Sequence, residues 1–382
     1  MKAIAAALLA AVSADASPPV RFLEHVLATD LKGGYQVFAL DVNRDGVTDL
    51  VALASAMKDL VWFEAPRWRR RVLVSGLERM INVASCSRDA EGYPELVVAH
   101  GFANEAARSP GIVSLVRRQG APEELWAAAE IDRLPTSHRL RCAAFDGSGR
   151  PVVVNAPLMG PRAEKPEFRD KVPLVFYRPG DWKRHLIGDE TEGVLHGIHV
   201  VDWNGDGADD ILTASFEGIH LYSSARGRWR RRELARGDPS PWPRSGASDV
   251  TVGRLGKVRF LATIEPWHGH QVAVYVERGE AFERRVVDDT LADGHTIETA
   301  DLNRDGRDEI IAGFRGPGRS VYIYYAADES GASWRRTVLD GGGIAAASCV
   351  ATDLNGDRRP DIACIGSATA NLKWYENAGP AR

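Results

Sequence analysis

The chain has 382 residues, of which 44% are hydrophobic and 26% charged, enough apolar matter for a packed interior and an ordinary charge content for a water-soluble protein. The formal net charge is −4, and Lys and Arg are scattered singly or in short runs, which argues against a nucleic-acid-binding surface. No stretch approaches the ~20 consecutive apolar residues of a spanning helix, so no membrane span is expected.

In chain order, Met1-Lys2 is a short positive start and the segment from Ala3 to Val12 is apolar but too short to cross a bilayer. Small residues offer cleavage after Ala14 or Ala16, so residues 1–16 read as a signal peptide and the mature protein is expected to be secreted or periplasmic. The remainder, 17–382, reads as one repeat domain.

Four segments superpose directly: DVNRDGVTD from Asp41, DWNGDGADD from Asp202, DLNRDGRDE from Asp301 and DLNGDRRPD from Asp353. Each precedes an apolar run suited to a strand, and in the same register three decayed copies start at Ser87, Ala144 and Thr251, making seven. After each loop and a gap comes an alternating apolar–aromatic strand, such as LVWFE, IHLYS or VYIYY. Six of these are followed by a strand opening with an aromatic residue (Trp68, Trp126, Trp182, Trp229, Phe282, Trp334) and often carrying Arg, which suits an outer edge in water. The seventh copy of that last strand, FLEHVL from Phe22, stands at the other end of the chain.

Four strands per unit, at a period of roughly 45–57 residues, predict an all-β, seven-bladed β-propeller closed by the N-terminal strand completing the last blade. The expected blades are approximately 34–76, 79–133, 137–190, 195–238, 245–290, 294–340, and 345–377 with 21–28. Insertions at Gly101–Gly111 and Pro157–Val172 explain the uneven spacing.

Oxygen-bearing residues at alternate positions suit Ca²⁺, a hard cation that takes six to eight oxygens. The expected ligand sets are Asp41, Asn43, Asp45, Asp49; Asp202, Asn204, Asp206, Asp210; Asp301, Asn303, Asp305, Glu309; and Asp353, Asn355, Asp357, Asp361. Three carboxylates within nine residues repel one another strongly without a cation. The role expected for calcium is structural, with Arg358 in place of a glycine weakening the last loop.

The loops and their repeat resemble the FG-GAP/VCBS family, the calcium-loop propellers of integrin α-subunits and several lectins. A narrower similarity, carried by HGIHVVDWNGDGADDILTASFEGIHLY, IEPWHGHQVAVYVE and DGHTIETADLNRDGRDEIIAGFRGPG, is to the propeller domain of the aldos-2-ulose dehydratases. That resemblance implies zinc in a propeller cleft and elimination of water from a keto-sugar. It reaches the propeller alone, so no isomerising second step is expected.

The repeat register itself points to one mouth of the central channel. Six residues before each first loop position stand Tyr35, Ile81, His138, His196, Ser245, His295 and Ala347, three of the ten histidines in seven equivalent places. His100, His268 and His270 lie in connections opening on the same face. Neutral imidazoles with an open position form a Lewis-acid site for zinc or another divalent transition metal. His138, His196 and His295 are the first candidate ligands; His196, His268 and His295, from consecutive blades, are the alternative if blades three and six are too far apart. His268 or Glu298 is the candidate base, and Arg315 the group to hold a sugar oxygen or a carboxylate.

Cys86, Cys142, Cys349 and Cys364 follow no metal or redox spacing; buried thiols are expected, with a Cys349–Cys364 disulfide as the alternative. The competing functional readings are a metal-dependent keto-sugar lyase at the His-lined mouth, a carbohydrate-binding propeller without turnover, and a protein-interaction propeller. The partner expected is a small carbohydrate or glycan.

Overall fold

The computed structural model describes residues 19–145, 149–225, 227–279 and 281–380; the expected signal peptide lies outside them. The described residues form seven four-stranded antiparallel sheets, each built from consecutive strands except the last. In that sheet Val20–Ala28 pairs with Leu372–Pro380, outside Asp361–Gly366 and Ala346–Thr352. The seven-bladed architecture, with the N-terminal strand completing the last blade, is the one the repeat predicts. Innermost strands of consecutive blades pack against one another, and that of blade 1 (Gly34–Leu40) meets that of blade 7 (Ala346–Thr352), closing the ring.

The strand types follow from burial. Second strands such as Asp49–Ala54, Asp210–Ser215, Glu309–Phe314 and Asp361–Gly366 are buried along their whole length, which is why they read as continuous apolar runs. Outer strands such as Arg228–Ala235 are exposed or half-buried, and their arginines face water. The core is divided among the seams: Trp62 with Val98 and Val116 between blades 1 and 2, Tyr222 with Phe176 between blades 3 and 4, Tyr324 with Phe260 between blades 5 and 6. A further cluster lies over one face, where Phe102, Met159 and Phe168 from the two insertions pack with Phe216, Trp242 and Trp267.

The cysteines correct the expectation of free thiols. Cys349 and Cys364 are direct cross-strand partners in blade 7 and are disulfide-bonded. Cys86 and Cys142, 56 residues apart, are bonded across the seam between the inner strands of blades 2 and 3, with Cα atoms 5.3 Å apart. Sequence spacing does not show that pairing, because it depends on two inner strands lying side by side. No helix among the described residues is long and apolar enough to cross a membrane.

Candidate functional site

Five of the seven inner strands break register at the same repeat position. The extra residues are Tyr35, His138, His196, His295 and Ala347, each between flanking residues that pair with the second strand. A β-bulge turns its extra side chain out of the alternating pattern. Here it brings Tyr35, His138, His196 and His295 together at one end of the ring, where they contact one another in a chain of ring pairs.

His268 joins them from blade 5, in the turn between Val258–Glu265 and Gln271–Arg278. Its backbone takes φ +49°, a left-handed conformation costly for a non-glycine residue, and its N–H donates to Ser248 Oγ at 3.2 Å. The ligand atoms of His196, His268 and His295 all lie within 4.8 Å of one another, the one such group of histidine, cysteine or acidic residues among the described residues. The set that converges is therefore the one from consecutive blades. His138 stands beside it, 4.9 Å from His196 between ring centroids, with Nε2 2.7 Å from the Tyr35 hydroxyl.

Hydrogen bonds define which nitrogens are free. His196 Nδ1–H donates to Ser248 O at 3.0 Å and His295 Nδ1–H to Ala347 O at 2.6 Å; a carbonyl only accepts, so both Nε2 atoms carry lone pairs. His295 Nε2 is buried without a partner, and His196 Nε2 lies 3.3 Å from His268 Nε2. His268 Nδ1 is 3.4 Å from the Asp293 carboxylate, which Arg315 holds through Nε at 3.2 Å and Nη2 at 2.9 Å. Two nitrogens bound to one tetrahedral ion at ~2.0–2.1 Å stand about 3.3 Å apart. Imidazoles tied through Nδ1 to carbonyls and a carboxylate, with Nε2 atoms converging, form a donor set that fits a divalent transition metal.

Burial keeps these rings neutral. It depresses His138, His196 and His295 well below the ordinary imidazole value, and the nearby charge of Arg139 or Arg315 pushes further in the same direction. His268 falls to about 4, through burial and then Arg315, against the opposing pull of Asp293. Lone pairs thus remain available across the neutral range.

A 390 Å³ cavity opens beside His268, walled by Phe168, Phe216, Pro266, Trp267 and Asp293. Arg315 positions the ring by holding the Asp293 carboxylate that His268 Nδ1–H faces; its own Nη2, 3.3 Å from Nδ1, makes no hydrogen bond to that nitrogen in the tautomer that leaves Nε2 free. Glu298 lies three residues further along its inner strand than His295, buried near the charges of Arg141 and Asp249. Burial pushes its carboxyl up to about 7, Arg141 opposing and Asp249 adding to the shift.

The four loops place their side chains alike. Asp41, Asp202, Asp301 and Asp353 accept backbone N–H bonds from three to five residues on, and Asn43, Asn204, Asn303 and Asn355 accept from Asp45, Asp206, Asp305 and Asp357. The closing carboxylates Asp49, Asp210, Glu309 and Asp361 are buried, and burial, with the loop's other acids adding, raises Asp49 and Asp210 to about 6 and Glu309 to about 8. Arg358 adopts φ +69° where the other loops have glycine, so the turn itself is kept. Arg307 and Arg359 pair with Asp305 and Asp357, placing cations beside two of the loops.

Sequence reasoning passed over Asp293, Ser248 and Arg139. Asp293 and Arg139 are chain neighbours of the mouth positions His295 and His138, and a scan of residues flanking the repeat position finds them. Ser248 acts through its carbonyl on His196 and its hydroxyl on His268 N, and its place beside them in blade 5 is one that residue type does not reveal.

Residues 110–278 match the family model for the aldos-2-ulose dehydratase beta-propeller domain, and residues 301–364 match that for an FG-GAP-like repeat. Aldos-2-ulose dehydratase of Phanerodontia chrysosporium is 26% identical over 263 residues, 59% of this chain and 29% of that protein's length. The solved structure of an Agrocybe aegerita lectin that recognises non-reducing terminal N-acetylglucosamine superposes with a TM-score of 0.54 at 16% identity, covering 82% of this chain and 81% of the lectin. The lectin shares the fold alone. The seven blades and these matches together make the chain a seven-bladed β-propeller that resembles the FG-GAP-like repeat over residues 301–364 and the propeller domain of aldos-2-ulose dehydratase over residues 110–278.

Proposed function

We propose that the protein is an exported, calcium-stabilised propeller that eliminates water from a keto-sugar at the His196–His268–His295 cluster, with zinc or a similar divalent metal as resident cofactor. The observation that carries this reading is the convergence of Nε2 atoms whose rings are tied down through Nδ1. A metal held there supplies a Lewis acid for the sugar carbonyl, lowering the barrier to loss of the adjacent proton. The Tyr35–His138 pair, bonded at 2.7 Å and touching the cluster, handles that proton. Tyr35, half-buried, takes it on its oxygen as it passes its own proton to Nε2 of His138, a ring kept neutral by burial; the pair returns the proton to the departing hydroxyl, so one water leaves and one carbon–carbon double bond forms. Phe168, Phe216 and Trp267 exclude water on the side of His268 and offer apolar faces to a sugar ring.

The same reading assigns calcium to the four loops, where raised, buried closing carboxylates beside further acids favour a bound cation. Two disulfides fit export to an oxidising compartment.

Elemental analysis tests the assignment. Purified protein is expected to hold one transition-metal ion per chain besides calcium, and His196→Ala or His295→Ala to lose it together with at least ~10-fold of the elimination rate, followed with 1,5-anhydrofructose. If protein stripped with EDTA and resupplied with calcium alone eliminates water undiminished, the metal reading fails. Glycan binding without any turnover favours the lectin-like alternative.

A further inference from the structure

The cluster has a second charged neighbour that the reading above leaves without a task. Arg139 follows the bulged His138 in the inner strand of blade 3 and is 6% exposed. Its guanidinium makes no hydrogen bond and no ion pair among the described residues, and its nitrogens keep some access to solvent. The contact it does make is with the Tyr35 ring, 5.7 Å from Cζ to the centroid. Its charge reaches His138, His196, His268 and His295, which places it beside the cluster.

The ordinary use of this repeat position makes the arginine stand out. In three of the other six blades the residue after the mouth position joins one blade to the next: Gln36 clasps the backbone of Val83 in both directions, Asn82 accepts from Leu140 N, and Thr296 accepts from Cys349 N; in blades 4 and 5 the position is glycine. Arg139 has given up that role. The carboxylates around it do not replace the missing partner: Asp293 is held by Arg315, while Asp249 feels both Arg139 and Arg141 and pairs with neither. A buried guanidinium without an anion is costly, by several kcal/mol in general.

We infer that Arg139 is the anion-binding subsite of this mouth, and that the ligand is a sugar acid whose carboxylate lies in the Arg139 fork while the rest of the sugar faces the histidines. A planar fork of donors matches a carboxylate bidentately, and Tyr35 under the guanidinium holds that plane in place. With Arg315 neutralised by Asp293 and the imidazoles neutral, Arg139 is the cation beside the cluster that no carboxylate pairs with, Arg141 lying two residues further along the strand, and the field of Arg139 selects an anionic over a neutral sugar. The inference rests on the mouth being the ligand site but not on the metal or on turnover.

Isothermal titration of the full chain with 2-keto-gluconate and with fructose, which differ in carboxylate against hydroxymethyl, tests it. The acid is expected to bind at least ~10-fold more tightly than fructose. Arg139→Gln is expected to remove that preference while leaving fructose affinity and metal content unchanged, and Arg139→Lys, which keeps the charge and loses the fork, to fall between. Equal affinities in the unaltered protein, or an acid preference that survives in Arg139→Gln, overturn the inference. Should Arg139→Gln fail to fold, the salt dependence of the unaltered protein decides: acid binding must weaken with added NaCl while fructose binding does not. Loss of metal in His196→Ala leaves these outcomes intact, so the two readings fail separately.

Discussion

A buried imidazole is governed by what its two nitrogens meet. In the cluster the Nδ1 atoms of His196 and His295 meet backbone carbonyls and the Nε2 atoms converge, whereas His220 shows what the same burial does without a site. His220, 4% exposed in Gly218–Ala225, has Nδ1 buried without a partner, and burial followed by Arg231 depresses it to about 3. Because its folded value lies below the unfolded value near 6.5, the unfolded chain binds the extra proton. Its contribution is therefore fully present above pH 6.5 and is lost as pH falls toward 3, about 3 kcal/mol by pH 4. His220→Leu should flatten the acid limb of the stability–pH profile by that amount relative to the unaltered protein in urea titrations. Parallel profiles would show that the ring is not held neutral.

Individual site residues were unequally legible. His138, His196 and His295 emerged from counting along the repeat, since a propeller returns each position to the same spot on the next blade. The converging set was named as the alternative, but the choice between the two sets was not legible, because it depends on bulges and on the turn that swings His268 inward. Arg139 was hidden because its meaning lies in the absence of a partner, which only the folded chain reveals.

Among elements, the seams repeat a polar fastening. The acid at the end of one outer strand takes the hydroxyl of a third-strand tyrosine and a base of the next blade: Asp132 with Tyr177 and Arg184, Asp288 with Tyr324 and Arg336, Asp340 with Tyr375 and Lys373. Each acid lies beside apolar seam residues and takes both the hydroxyl and the base of the next blade, with a nearby backbone N–H as a further donor. The Asp340 side chain is 2% exposed and Lys373 8%. Asp340→Ala strips the Tyr375 hydroxyl and leaves Lys373 with only the outer Glu24, at a cost of about 3 kcal/mol. A denaturation midpoint that moves by less than a third of that would mean the fastening adds little to apolar packing. The loops tie blades together in a related way, Asp209 capping Ala144 N and Asp308 capping Arg254 N of the preceding blade.

For the whole molecule, closure is the decisive contact. Val20–Ala28 lies antiparallel to Leu372–Pro380, with His25 stacked on Trp374 at 4.5 Å between centroids and bonded to Glu376 at 3.0 Å. Val20 and Phe22 also enter the core between blades 6 and 7. Removing residues 19–28 exposes a strand edge and part of that core, with an expected loss of about 3–5 kcal/mol, or on the order of 5–10 °C in Tm. A peptide of the same sequence added in trans should restore part of the loss. An unchanged Tm would show that the ring holds without this strand.

The repeat count, the strand pattern and the loop composition were properties of the sequence alone, because each depends on residues within about one blade of one another and on the alternation a pleated strand imposes; the split last blade followed from counting strand copies, the seventh last strand standing at the other end of the chain. The disulfide across the seam of blades 2 and 3, the convergence of His196, His268 and His295, and the unpaired Arg139 beside them were decided only in three dimensions. Those contacts join residues from different blades, and the angle between blades together with one-residue bulges sets distances of a few ångström that no linear spacing records.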